Sequence, residues 1–142
     1  MTQSSEAARI LNLPAPQTRT ERLIVYALRR IAAHGLNDAH AANAMMGSFG
    51  MSYRRPLVLL RAYMAELARA SQRQITIAPC CCPRMTQDEG RLLSVLAVAN
   101  SNTPCARYHL SMLAGTADVL PALSAAMALN DSLADLGQPI RI

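Results

Sequence analysis

Arg54-Arg55-Pro56-Leu57-Val58-Leu59-Leu60-Arg61-Ala62-Tyr63-Met64-Ala65-Glu66-Leu67-Ala68-Arg69-Ala70-Ser71 decides the fold class. At about 100° per residue, Leu57, Leu60, Met64 and Leu67 fall on one face, joined by Leu59 and Tyr63. Arg54, Arg55, Arg61, Arg69 and the following Arg73 fall on the opposite arc. A strand, alternating every second residue, would scatter both sets over its two faces. Pro56 is tolerated in a first helical turn, so the helix opens between Ser52 and Pro56 and continues to about Ser71.

Helical signals extend on both sides of this stretch. Leu23, Ile24, Ala27, Leu28 and Ile31 form a stripe on a helix running from Thr18 or Thr20 to His34. Gly35 suits the left-handed residue that ends it, with Leu36 packing back. A shorter helix opens at Asn37 or Asp38 and ends near Gly47. Met45, Met46, Phe49 and Met51 then make a soft apolar patch, either core filler or a contact surface for a partner or second copy.

On the C-terminal side, Gln74 to Pro79 reads as a short β-favouring connector. Thr86-Gln87-Asp88-Glu89 is a capping box, and Leu92, Leu93, Val95, Leu96 and Val98 behind it describe a helix apolar nearly all round, hence central. It stops at Asn100. Thr103-Pro104 reads as an N-cap and first helical position for a helix ending at Gly115, and Asp118 as the cap of a last helix ending at Gly137.

Composition agrees. Of 142 residues 51% are apolar and only 4% aromatic, with no Trp and one Phe, a palette that packs helix on helix. The expectation is an all-α, single-domain helical bundle of five to six helices with short loops. A flexible segment at 1–17 precedes the bundle at 18–137, and a tail at 138–142 follows.

Three consecutive cysteines, Cys80-Cys81-Cys82, precede Pro83, and the chain holds one other, Cys105. In an extended segment residues two apart point to the same side, so Cys80 and Cys82 can offer two sulfurs to one ion, with Cys81 between them. Cys105 and His109, four residues apart on a helix, share a face. Together they would make a Cys₃His set suited to Zn, or a softer set suited to Cu(I). The same thiols also support redox sensing, with Cys81-Cys82 closing as a strained, easily reduced disulfide. The plainest reading is that cysteine is a small apolar filler.

All fourteen basic residues are Arg, and the net charge is +5. Arg54, Arg55, Arg61, Arg69 and Arg73 therefore offer an alternative site, a docking face for a protein or nucleic acid. No helix-turn-helix or RNA-binding signature accompanies them, and aromatic residues for base stacking are scarce. No stretch approaches the ~18 consecutive apolar residues of a membrane span, and no secretory leader is evident. The expected setting is cytoplasmic, where thiols are kept reduced.

Several enzyme classes find no footing. A chain without lysine has no Walker loop, no Glu is followed three residues later by His as in di-iron bundles, and thioredoxin-type Cys-x-x-Cys is missing. The sequence leans toward a binding protein, able to self-associate as a homodimer, with the thiol cluster as its candidate site.

Overall fold

The computed structural model describes residues 13–79 and 81–141, and these form an all-α bundle of six helices joined by short loops. In chain order they are α1 (Arg19–His34), α2 (Ala39–Phe49), α3 (Arg54–Ala70), α4 (Gln87–Val98), α5 (Thr103–Ala114) and α6 (Leu120–Asp135). A single 3₁₀ turn, Gly50–Ser52, links α2 to α3.

The stripe that decides the fold turns to the core, though Leu59 and Met64 lie at its edge and are only half-buried. Pro56, Leu57, Leu60, Tyr63 and Leu67 of α3 are buried, and this helix makes its largest interface with α6, whose own buried residues include Ala122, Leu123, Ala126, Leu129 and Leu133. Tyr63 is enclosed, its hydroxyl donating to the Leu92 carbonyl at 3.2 Å, and burial pushes its phenol well above the usual range.

Helix α4 is central, with Leu92, Leu93, Val95 and Leu96 at most 1% exposed and neighbours α5, α6 and α1. The Thr86 capping box is present with both reciprocal bonds. A second box starts α1, where Thr18 accepts from the Glu21 amide and the Glu21 carboxylate returns to the Thr18 amide. Asp38 caps α2 and forms a forked pair with Arg30 across the α1–α2 turn, which lowers its carboxyl to about 2. Gly35, at φ 103°, makes that turn in a conformation L-residues avoid.

Several boundaries differ from the sequence reading. Asn102, not Thr103, caps α5, which moves Thr103 and Pro104 to the first two helical positions. Asp118 does not cap α6; the N-cap is Val119, with no side-chain bond, and Val119 is buried instead. Helix α2 passes through Gly47 to Phe49. Leu36 is exposed rather than packed back on α1. The methionine patch splits: Met45 is core, whereas Met46 is partly exposed and Met51 is 93% exposed.

Residues 1–12, the greater part of the expected leading segment, lie outside the described residues, as do Cys80 and Ile142. Leu13 pairs with Met85 in an isolated antiparallel bridge, both backbone bonds being 3.1 Å. At the other end Ile140 is buried, so the core draws on the chain beyond residue 137. Among the described residues no helix is long and apolar enough to cross a membrane.

This packing separates neighbours on α3 sharply. Leu60→Ala should cost about 2–5 kcal/mol of stability, because it opens a cavity at a position that excludes all solvent. Val58→Ala, two residues away but 58% exposed, should stay within about 0.5 kcal/mol. Urea denaturation of both variants tests this, and equal losses would contradict the helix orientation described above.

Candidate functional site: the thiol loop and its buried arginine clamp

The loop between α3 and α4 carries the cysteine cluster, and the first turn of α4 fixes its path. Asp88 accepts from the Thr76 amide at 2.7 Å, and Glu89 accepts from the Ala78 amide at 3.3 Å. The Thr86 hydroxyl donates to the Thr76 carbonyl at 2.7 Å while accepting the Glu89 amide. Gln74 to Pro79 thus contains no strand; carboxylates rather than a partner strand take up the Thr76 and Ala78 amides.

Across the loop stands Arg29 of α1, 4% exposed, facing Glu89, which is fully buried. Its Nε donates to Glu89 Oε2 at 2.6 Å and its Nη2 to Oε1 at 3.0 Å, a forked pair. Its remaining donors reach into the loop: Nη1 to the Cys82 carbonyl at 2.8 Å and Nη2 to the Arg84 carbonyl at 2.9 Å. Glu89 also accepts the Thr86 amide at 2.9 Å. A charge pair this deep is tolerated because its donors and acceptors are met several times over.

On this frame Cys81 is exposed and Cys82 half-buried, both as free thiols. The Cys82 amide donates to the Pro79 carbonyl at 3.1 Å. Cys105, a free and half-buried thiol, begins α5, where its amide donates to Asn102 Oδ1 at 3.3 Å. His109 lies one turn along α5, edge-on to Tyr108 with ring centroids 5.8 Å apart. Its Nδ1 is 3.1 Å from Arg91 Nη1 of α4. Among the described residues no three His, Cys, Asp or Glu side chains come together as metal ligands would. Of the expected set, Cys81, Cys82, Cys105 and His109 are described; Cys80 is not.

A guanidinium can only donate, so Nδ1 of His109 accepts and its ring proton resides on Nε2. Partial burial, with the Arg91 charge second, holds the imidazole below its ordinary pKa of 6.5.

The arginines of α3 do not form one free face. Arg73 lies beyond the helix end and turns away: it pairs with Asp88 at 3.2 Å and donates to the Leu113 carbonyl at 2.9 Å, closing the C-terminus of α5. Arg61 is half-buried, its Nε without a hydrogen-bond partner among the described residues. Arg55 faces Asp135 at 3.6 Å and Arg69 pairs with Glu66, both in solvent. Arg54 is exposed. Sequence reasoning missed Arg29, the residue that organises the loop. Its one available signal was position: it follows Val25 by a single helical turn and so sits over an apolar residue.

A protein-family model matches residues 1–137, and the chain belongs to that family, described as a family of unknown function (DUF6628). No curated protein and no solved structure matches the chain.

Removing Arg29 leaves a buried carboxylate and two loop carbonyls without their donor, so Arg29→Ala should cost about 3–5 kcal/mol. Arg29→Lys should recover little, since one ammonium cannot span this fork. Thermal unfolding gives both losses, and a mild Arg29→Ala phenotype would remove the clamp from its central place. His109 supplies a pH signature. The unfolded chain takes up its proton near pH 6.5 while the folded chain resists, so this contribution to stability falls as pH drops below about 6.5. His109→Gln should flatten that part of the profile, measured by denaturant midpoints between pH 8 and pH 5.

Proposed function

We propose that this member of the DUF6628 family is a thiol-based sensor, a binding protein whose state is set by oxidation of the Cys80–Cys82 loop. The observation that carries the reading is an exposed Cys81 beside a half-buried Cys82, on a loop that Arg29 and Glu89 hold in one shape. Exposure admits an oxidant, and the clamp connects the loop to the bundle interior.

The oxidant required is a hydroperoxide. The Cys81 sulfur attacks the terminal peroxide oxygen; an S–O bond forms, the O–O bond breaks, and the alcohol (water, for hydrogen peroxide) leaves with the thiol proton. The Cys82 sulfur then attacks the resulting sulfenic acid, so that an S–S bond forms and water departs. Two thiols lose two electrons and one peroxide gains them. A bond between adjacent cysteines must twist the backbone at Cys81–Cys82, and the Cys82 carbonyl passes that change to Arg29. A cytoplasmic setting, where thiols rest reduced between exposures, suits such a cycle.

The arginine face has less support as a docking site. Arg73 is committed to Asp88 and to the end of α5. The exposed pairs at Arg55 and Arg69 are weak, about 0–1 kcal/mol each, and an incoming phosphate could displace them.

Thiol counting with elemental analysis tests the proposal. After one equivalent of hydrogen peroxide, two thiols per chain should resist alkylation and return with dithiothreitol. Peptide mass mapping should place the bond within residues 80–82, and Cys81→Ser should abolish it. Four thiols still titrating after peroxide would overturn the reading. About one Zn or Cu per purified chain, released together with masked thiols on chelation, would replace it with a soft-metal site on the same cluster.

A further inference from the structure

A second feature lies beyond the thiol loop and contains none of its cysteines. An open groove of about 640 Å³ runs between the segment at 13–18, the exposed side of α4, α5 at His109 and Arg141 near the end of the chain. That volume is within the range of ~300–1,000 Å³ typical of small-molecule sites. Its walls are largely apolar, with Leu13, Pro14, Pro16, Met85 and Leu93 among them. Gly90 forms part of its base, and a Cβ there would stand 2.3 Å from Leu13 Cδ1, so glycine is what allows this segment to lie close against α4.

The charged side chains of the groove are two arginines and one acid, a net positive set. Arg91 and Arg141 line it, and neither has a carboxylate partner among the described residues. The one acid in the lining, Glu21, is held back toward its own helix start, its Oε2 accepting from the Gln17 and Thr18 amides at 3.1 and 3.4 Å. His109 orients the Arg91 guanidinium by accepting one of its N–H groups, and leaves the others available. An apolar trough with a guanidinium that pairs with no carboxylate among the described residues complements a molecule with an apolar body and one anionic head.

We infer that this groove binds an amphipathic monoanion of the acyl-carboxylate class, its carboxylate on Arg91 and its chain along Leu13, Pro14, Pro16 and Leu93. Arg91 supplies the charge-assisted bond, and Arg141 adds positive potential at the rim. The site is independent of the thiol reading.

Calorimetric titration of the full chain tests this, using decanoate below its micellar range, with decanol and decyltrimethylammonium as matched controls. Decanoate should saturate at one per chain, decanol should bind more weakly, and the cation should not bind. Arg91→Gln should weaken decanoate by about 10–100-fold, the share expected of a hydrogen bond to a charged group, while Cys81→Ser leaves it unchanged. A diazirine analogue of decanoate should label residues 13–16 or 90–94. Binding of the cation as tight as that of decanoate, no binding of decanoate, an unaffected Arg91→Gln, or labelling elsewhere would each overturn the assignment. Should Arg91→Gln fail to fold, the comparison of three head groups and the labelling map still decide.

Discussion

One buried pair, Arg29 with Glu89, ties together elements that would otherwise touch only at their edges. Helix α1 supplies the guanidinium, α4 the carboxylate, and the loop between α3 and α4 the two carbonyls that take up the remaining donors. The contact between α1 and α4 is otherwise modest beside those of α3 with α6 or α4 with α5. A hydrophobic pair at these positions would hold the helices together as well, and could be more stabilising. It could not hold the loop, because apolar side chains offer nothing to the carbonyls of Cys82 and Arg84. The ion pair is best understood as a means of giving an irregular segment a single conformation.

The pair works because the surrounding polar groups are also satisfied. Glu89 is capping-box partner, ion-pair acceptor and acceptor for the Ala78 amide at once, and its neighbour Asp88 serves the Thr76 amide and Arg73 in the same way. Two consecutive acids at a helix start are favoured by the helix dipole even before any tertiary contact forms. That local preference places two carboxylates where the incoming connector has unpaired amides. Local and tertiary demands therefore agree at residues 86–89, the condition under which a buried polar network specifies structure.

Much of this was legible in the sequence, for a physical reason. Helical periodicity is set by backbone geometry and side-chain burial together, so the stripes of α1 and α3 and the apolar run of α4 announced themselves, as did the Thr86 capping box. Caps with several eligible residues were harder: Asn102 and Thr103 both suit the position, and only the chain direction entering α5 selects Asn102. Asp118 was eligible too, but burial of Val119 draws the chain one residue further before α6 begins. Arg29 was hidden for a deeper reason. An arginine on a helix reads as solvated unless its carboxylate is known, and here that carboxylate lies sixty residues away in a motif already complete without it. Arg73 was misplaced because periodicity was carried past the helix end at Ala70.

The same turn of α4 also sets the opposite surface. Moving two residues along from Asp88 and Glu89 rotates the helix by about half a turn, so Gly90 and Arg91 face the segment at 13–18 instead of the loop. The bridge between Leu13 and Met85 joins the two regions directly, since Met85 follows the cysteine cluster and also lines the groove. A displacement of the loop at Cys82 and Arg84 would reach Leu13 through one residue, and through Leu13 the wall of the groove. Coupling of this kind needs no long pathway, only two sites built on neighbouring residues of one rigid turn. The close approach at Gly90 makes the junction sensitive, because the space a side chain would need there is taken by Leu13.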